Sequence, residues 1–324
     1  MEITTERVTL ADVELQCTVA GEGPLVLLLH GFPELAYSWR HQITGLAEAG
    51  YKVVAPDMRG YGASDRPDAI EDYDIFHLVG DVVGLIRHHG ADKATVVGHD
   101  WGALVAWSMG VFRPDLLHGV CGVSVPFMPH LGQSLPTILR QNVGEDGFHY
   151  MLYFQEVGPA ESELEADVYT SMRKLFWMVS ADLPEFSSTG DSARQGFLPD
   201  VDLPEGVPSW MTEGDLLAYV QAFTRTGFRG GVNWYRNLHR NWELGWPWHD
   251  KGIAVPAMFI GGCDDPVLAG SGEVTAEHPM LQFQAAYVPD LRVRLIDGAG
   301  HWTQQEKPDE TNAALLDFLG ELHA

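Results

Sequence analysis

The sequence is short of cysteine, of basic residues and of long apolar runs, and each shortage removes a class of function. Its three cysteines, Cys17, Cys121 and Cys263, are scattered and odd in number, with no CxxC pair. Neither a disulfide framework nor a zinc site is suggested, and no metal is expected. Only five lysines are present, and 20 Lys plus Arg stand against 45 Asp plus Glu, a formal net charge of −25. That balance leaves no basic face for nucleic acid or an anionic membrane. No run of 18 apolar residues occurs, so no membrane span is expected. Met1-Glu2-Ile3-Thr4 lacks a basic region followed by an apolar stretch, so no secretory signal is read and a cytoplasmic protein is expected.

What is present reads as a globular α/β protein. The 324 residues, 45% of them hydrophobic and 20% charged, suffice for one large domain carrying a smaller insert. Segments 3–10 and 13–19 alternate in hydrophobicity, as an antiparallel hairpin at a sheet edge does. Leu25–Leu29, Lys52–Ala55 and Ala94–Val97 are short buried runs, and 74–88 and 102–112 carry helical periodicity. This βαβ rhythm predicts a parallel sheet covered on both faces. One more strand is expected over His118–Val125, and then the rhythm breaks. It resumes at Val255–Ile260 and Leu291–Ile296, with a closing helix over 308–322. The expected organisation is a core of 1–125 and 251–324 interrupted by a helical cap, 126–250.

The chemistry concentrates at Gly98-His99-Asp100-Trp101-Gly102, where a buried strand runs into G-x-D-x-G and a helix follows at once. Such a turn is too tight for ordinary side chains beside it, and it lifts the apical residue clear of the sheet. Taken alone it is also an ordinary turn with an aspartate capping a helix. Three further features stand in register with it. His30-Gly31-Phe32-Pro33 ends the first long strand, where the backbone N–H of Phe32, with that of Trp101, would form an oxyanion hole. Asp297-Gly298-Ala299-Gly300-His301-Trp302 places a histidine in a small-residue loop after the last strand. Cys263-Asp264-Asp265-Pro266 offers the orienting acid, Asp265 being preferred and Asp264 the alternative. The order Asp100, Asp265, His301 is that of a nucleophile, acid and base on an α/β-hydrolase fold.

An aspartate at the apex changes the reaction. A serine attacking saturated carbon would leave an ether, whereas a carboxylate leaves an ester that water can cleave. Substrates opened at sp³ carbon, epoxides or alkyl halides, are therefore expected, and a serine-type esterase is disfavoured. Ring opening wants a proton donor over the nucleophile, such as a pair of phenols; halide release wants N–H donors around the departing anion.

These motifs, with the insert segments Tyr150-Met151-Leu152-Tyr153-Phe154-Gln155-Glu156 and Gly227-Phe228-Arg229-Gly230-Gly231-Val232-Asn233-Trp234-Tyr235-Arg236-Asn237, resemble the soluble epoxide hydrolase family over nearly the whole chain. The resemblance implies conversion of apolar epoxides to vicinal diols through an aspartyl ester, with water as second substrate and no cofactor. A haloalkane dehalogenase with the same triad is the alternative. The resemblance also implies two ring-opening tyrosines, one matching Tyr235 and the other Tyr150, with Tyr153, about one helical turn on, left open. Phe32, Pro33, Trp101, Met151, Phe154, Trp177, Trp234 and Trp302 are expected pocket walls. Mammalian members can carry an N-terminal phosphatase domain. This chain begins almost at the hairpin, so that activity is expected to be absent, as in bacterial-type members. A non-catalytic binding protein of the same fold is the contrasting class, disfavoured because all three triad residues are present. The physiological epoxide, a role in detoxification or lipid turnover, and oligomeric state, a homodimer included, stay open.

Overall fold

A computed structural model describes residues 2–183, 196–198, 203–270 and 273–323. Among the described residues eight strands form one sheet in the order β1-β2-β4-β3-β5-β6-β7-β8. They are β1 (Ile3–Thr9), β2 (Glu14–Ala20), β3 (Leu25–Leu29), β4 (Lys52–Pro56), β5 (Ala94–His99), β6 (Leu117–Val123), β7 (Ala257–Gly262) and β8 (Leu291–Ile296). The β1–β2 and β2–β4 pairs are antiparallel, and the rest of the sheet is parallel.

The alternation of side chains along each strand divides the core. In β3, Leu25, Leu27 and Leu29 join an apolar cluster with α2 (Ile75–His88) and α3 (Trp101–Phe112). Val26 and Leu28 face the opposite side, toward α1 (Arg40–Glu48) and α14 (Pro308–Leu322). In β7, Ala257 and Phe259 take the first face and Met258 and Ile260 the second. Because both faces are covered, β3 is buried throughout and its sequence is a continuous apolar run. Asp74 caps α2 by accepting the N–H groups of Phe76 and His77, each at 3.1 Å.

Two strand ends differ from the sequence reading. The sixth strand stops at Val123, because Ser124 turns the chain with a φ of 65°. The seventh starts at Ala257, since Pro256 has no N–H for the ladder, although its carbonyl still accepts from Val120 at 3.0 Å.

Between β6 and β7 the described residues form α4 (Leu135–Val143), α5 (Tyr150–Tyr153), α6 (Pro159–Ala166), α7 (Val168–Met178), α8 (Glu213–Thr226), α9 (Arg229–Arg236) and α10 (Leu238–Gly245). Their apolar residues, among them Phe154, Phe176, Tyr219 and Trp234, belong to the same cluster as α2 and α3. Among its described residues the insert therefore sits on the core without a separate hydrophobic centre of its own. The Trp234 indole donates to the Arg59 carbonyl at 3.1 Å, tying α9 to the loop after β4. After β7 come α11 (Pro266–Ala269) and α12 (Pro279–Ala285), and α13 (Thr303–Glu306) precedes α14.

Candidate active site

Asp100 stands between β5 and α3 with φ 52° and ψ −118°, a backbone that L-residues rarely adopt. The turn closes because Gly98 and Gly102 lack side chains. A methyl on Gly98 would lie 1.9 Å from the Gly102 carbonyl oxygen, and one on Gly102 would lie 2.1 Å from that of Leu29. The loop after β3 then reaches Asp100 from the other side, and the Phe32 N–H donates to Asp100 Oδ1 at 2.7 Å. Trp101 opens α3, where backbone N–H groups have no intrahelical acceptor.

His301 faces the other carboxylate oxygen, with Nε2 at 3.6 Å from Asp100 Oδ2. Its Nδ1 lies 3.0 Å from Asp265 Oδ2. The second oxygen of Asp265 accepts the N–H groups of Val267 and Leu268, at 2.8 and 3.4 Å, so capping α11 fixes the carboxylate for the imidazole. Asp264 is exposed and does not meet His301. Burial disfavours a charged imidazole at position 301, but Asp265 and Asp100 outweigh it and lift the pKa well above its ordinary value. Burial likewise pushes Asp100 toward protonation, but His301 outweighs it and, with His99 and the Phe32 N–H, holds the carboxyl below its usual range.

Two phenols complete the site. Tyr150 and Tyr235 line the cavity over Asp100, with ring centroids 5.9 Å apart. Burial, then the charge of Asp100, raises the pKa of both, so both hold their protons. Tyr153 turns away: burial and the neighbouring Glu163 carboxylate govern its hydroxyl, and it is absent from the cavity wall. The cavity itself measures about 60 Å³.

Phe32, Pro33 and Trp302 line this cavity as the sequence suggests, but Met151, Phe154, Trp177, Trp234 and the Trp101 side chain do not. Helix phase explains most of the correction. Leu175 and Met178, at i and i+3, share the cavity face of α7 with its C-cap Val179, and Trp177 does not. The Trp177 indole instead points toward the Gly206 carbonyl at 3.3 Å. Trp234 precedes Tyr235 by one position and is rotated toward Arg59. Phe154 is fully buried behind the wall, edge-on to Phe32 and Tyr235 at 5.7 and 5.0 Å. Met151 is half-buried on the cluster behind the wall. Trp101 is likewise edge-on to Tyr235, at 5.0 Å. Leu175, Met178, Val179, Phe197 and Val267 were missed.

Two acidic residues also escaped the sequence reading. Glu34, fully buried, accepts from the Gly31 N–H at 2.9 Å, pairs with His99 Nδ1 at 2.6 Å and accepts from Gln304 at 3.0 Å. His99 Nε2 in turn meets the His301 carbonyl at 2.8 Å. One imidazole thus couples the loop of Phe32 to the loop of His301. Glu306 accepts the N–H groups of Gly300 and Trp302, at 2.9 and 3.0 Å, which bracket His301, and that of Ala181 at 3.0 Å. Burial pushes its carboxyl up to about 7. The sequence held one signal for Glu34, its place directly after His30-Gly31-Phe32-Pro33.

Comparison with known proteins shows the family. The model of the alpha/beta hydrolase fold matches residues 24–153. Epoxide hydrolase A of Mycobacterium tuberculosis is 46% identical, over 98% of both chains. Bifunctional epoxide hydrolase 2 of Sus scrofa is 39% identical over 95% of this chain and 53% of its own length. The crystal structure of Epoxide Hydrolase A from Mycobacterium thermoresistibile superposes with a TM-score of 0.91 at 45% identity, over 98% of each chain. With its aspartate-centred triad, and with relatives this similar along its whole length, the chain belongs to the epoxide hydrolase family of the α/β-hydrolase fold.

Proposed function

We propose that this protein hydrolyses apolar epoxides to vicinal diols through a covalent ester on Asp100, with Tyr150 and Tyr235 as ring-opening acids and His301 as the base. The observation that carries the reading is a carboxylate with one oxygen held by the Phe32 N–H, the other turned to His301, and two phenols lining the cavity over it. Asp100 Oδ2 attacks a ring carbon, the C–O bond breaks, and the alkoxide takes a proton from one tyrosine. Oδ1 becomes the ester carbonyl and already lies at the Phe32 N–H. The charge of Asp100 disappears in this step, and with it part of what held the proton on His301. The imidazolium returns a proton to the tyrosinate and becomes a base. It then takes a proton from water, whose oxygen adds to the ester carbon, and the Phe32 and Trp101 N–H groups stabilise the oxyanion. Collapse frees the diol and restores the carboxylate–imidazolium pair, so the cycle needs no net proton from solvent.

The lining residues Leu175, Met178, Val179, Phe197 and Trp302 suit an apolar substituent on the epoxide. The test is diol formation from styrene oxide or trans-stilbene oxide by the wild type beside Asp100→Ala and Tyr235→Phe. Diol that disappears in the first variant and falls sharply in the second supports the reading. Halide release from a bromoalkane without any diol would move the assignment to a dehalogenase.

A further inference from the structure

We propose that Glu6, His88 and His89 form a binding site for one divalent transition-metal ion of the zinc type, clamping the edge strand to the end of α2. Glu6 lies on β1, the outermost strand; His88 ends α2 and His89 is its C-cap. Glu6 Oε1 is 3.4 Å from His89 Nε2 and 3.9 Å from His88 Nε2, and the three donor atoms lie within 4.8 Å of one another. Among the described residues no other group of three or more such donors converges in this way. Zn–N and Zn–O bonds of ~2.0–2.2 Å set tetrahedral ligand separations of about 3.3–3.6 Å, which side-chain rotations would reach here.

The second observation is a pair of orphaned atoms. The His89 side chain is 5% exposed, and its Nε2 is buried without a hydrogen-bond partner. Glu6 Oε1 is buried without one as well. Histidines at a helix C-terminus are ordinary partners for the helix dipole, but the dipole does not account for a buried, unsatisfied nitrogen facing an unsatisfied carboxylate oxygen. A cation between them satisfies both. The nearby Lys52 charge works against a cation, whereas Glu6 and the net charge of −25 work for it. Glu6 and His88 are about 40% exposed, leaving room for a water as fourth ligand. Imidazole and carboxylate donors select zinc, nickel or copper over calcium or magnesium.

The site lies at the end of the sheet opposite Asp100, because α2 finishes just before β5 begins and Asp100 follows the end of β5. Its role is structural: β1 pairs only with β2 in the sheet, and the ion would tie it to a helix as well. A scan of the sequence for cysteine pairs misses it, since the donors are two adjacent histidines and a distant glutamate.

The test uses tag-free full-length protein, treated with EDTA and dialysed, then titrated with ZnCl₂ by calorimetry and followed by thermal unfolding. The proposal expects one equivalent bound with a rise in Tm, at least tenfold weaker binding in Glu6→Gln and His88→Gln, and loss in His89→Ala. Should His89→Ala fail to fold, the two variants at half-exposed positions still decide. CoCl₂ should give the visible absorption of a tetrahedral N/O site, displaced by zinc. No binding by the wild type, or binding unchanged in Glu6→Gln and His88→Gln, would overturn the proposal.

Discussion

The two oxygens of Asp100 occupy different surroundings, Oδ1 on the Phe32 N–H and Oδ2 toward His301 and the cavity. In the proposed cycle Oδ2 leaves with the product and water replaces it. A single turnover in H₂¹⁸O should therefore label Asp100, read in the peptide that contains it, and leave the first-formed diol unlabelled. The phenols act together, so Tyr150→Phe or Tyr235→Phe should each lower kcat by about a hundredfold and the double variant by more. The acid limb of kcat should report His301 in the ester, where Asp100 no longer supports its proton, and should lie below the His301 pKa of the free protein, measured by NMR. Sequence reading singled out Asp100, Asp265 and His301 because backbone requirements leave motifs. It left Tyr150 and Tyr153 open, and put Trp177 on the wall in place of Leu175, because helix phase inside an aromatic-rich insert has no marker in composition.

Elements position these groups through close backbone approach and buried acceptors. Gly102→Ala would set a methyl 2.1 Å from the Leu29 carbonyl oxygen and 2.6 Å from its carbon, both backbone, so β3 and α3 must part. It should destabilise by about 2 kcal/mol or more and lower kcat further, measured by urea unfolding and steady-state kinetics. Glu306→Ala leaves three N–H groups around the His301 loop without their acceptor, costing about 3 kcal/mol, and should reduce kcat more than it changes KM. Strand positions were legible because buried parallel strands are continuous apolar runs. The buried Glu34–His99 link was not, since nothing local distinguishes a buried carboxylate from a solvated one.

Across the whole molecule, the same groups make stability depend on pH. The folded pKa values of His301 and Glu306 lie above 6.5 and 4.5, so their contributions are full below those values and are lost as pH rises. For Glu306 the loss runs from about 4.5 to about 7 and amounts to something on the order of 3 kcal/mol. Asp100 is the opposite case, its contribution present above 3.8 and lost as pH falls through its lowered value. Glu306→Gln should lose stability relative to wild type at pH 4.5 but regain ground by pH 8, a comparison in which the remaining histidines cancel. An equal difference at both pH values would contradict this assignment. The overall architecture was legible because strand and helix periods alternate along the core, whereas the seating of the insert, and the small cavity beneath it, depend on packing between distant segments. The most direct test of the central claim is mass spectrometry of His301→Ala after incubation with styrene oxide. A stable adduct of one substrate mass on the peptide containing Asp100, with no diol released, is the expected result. An unmodified protein, or an adduct on another residue, would contradict it.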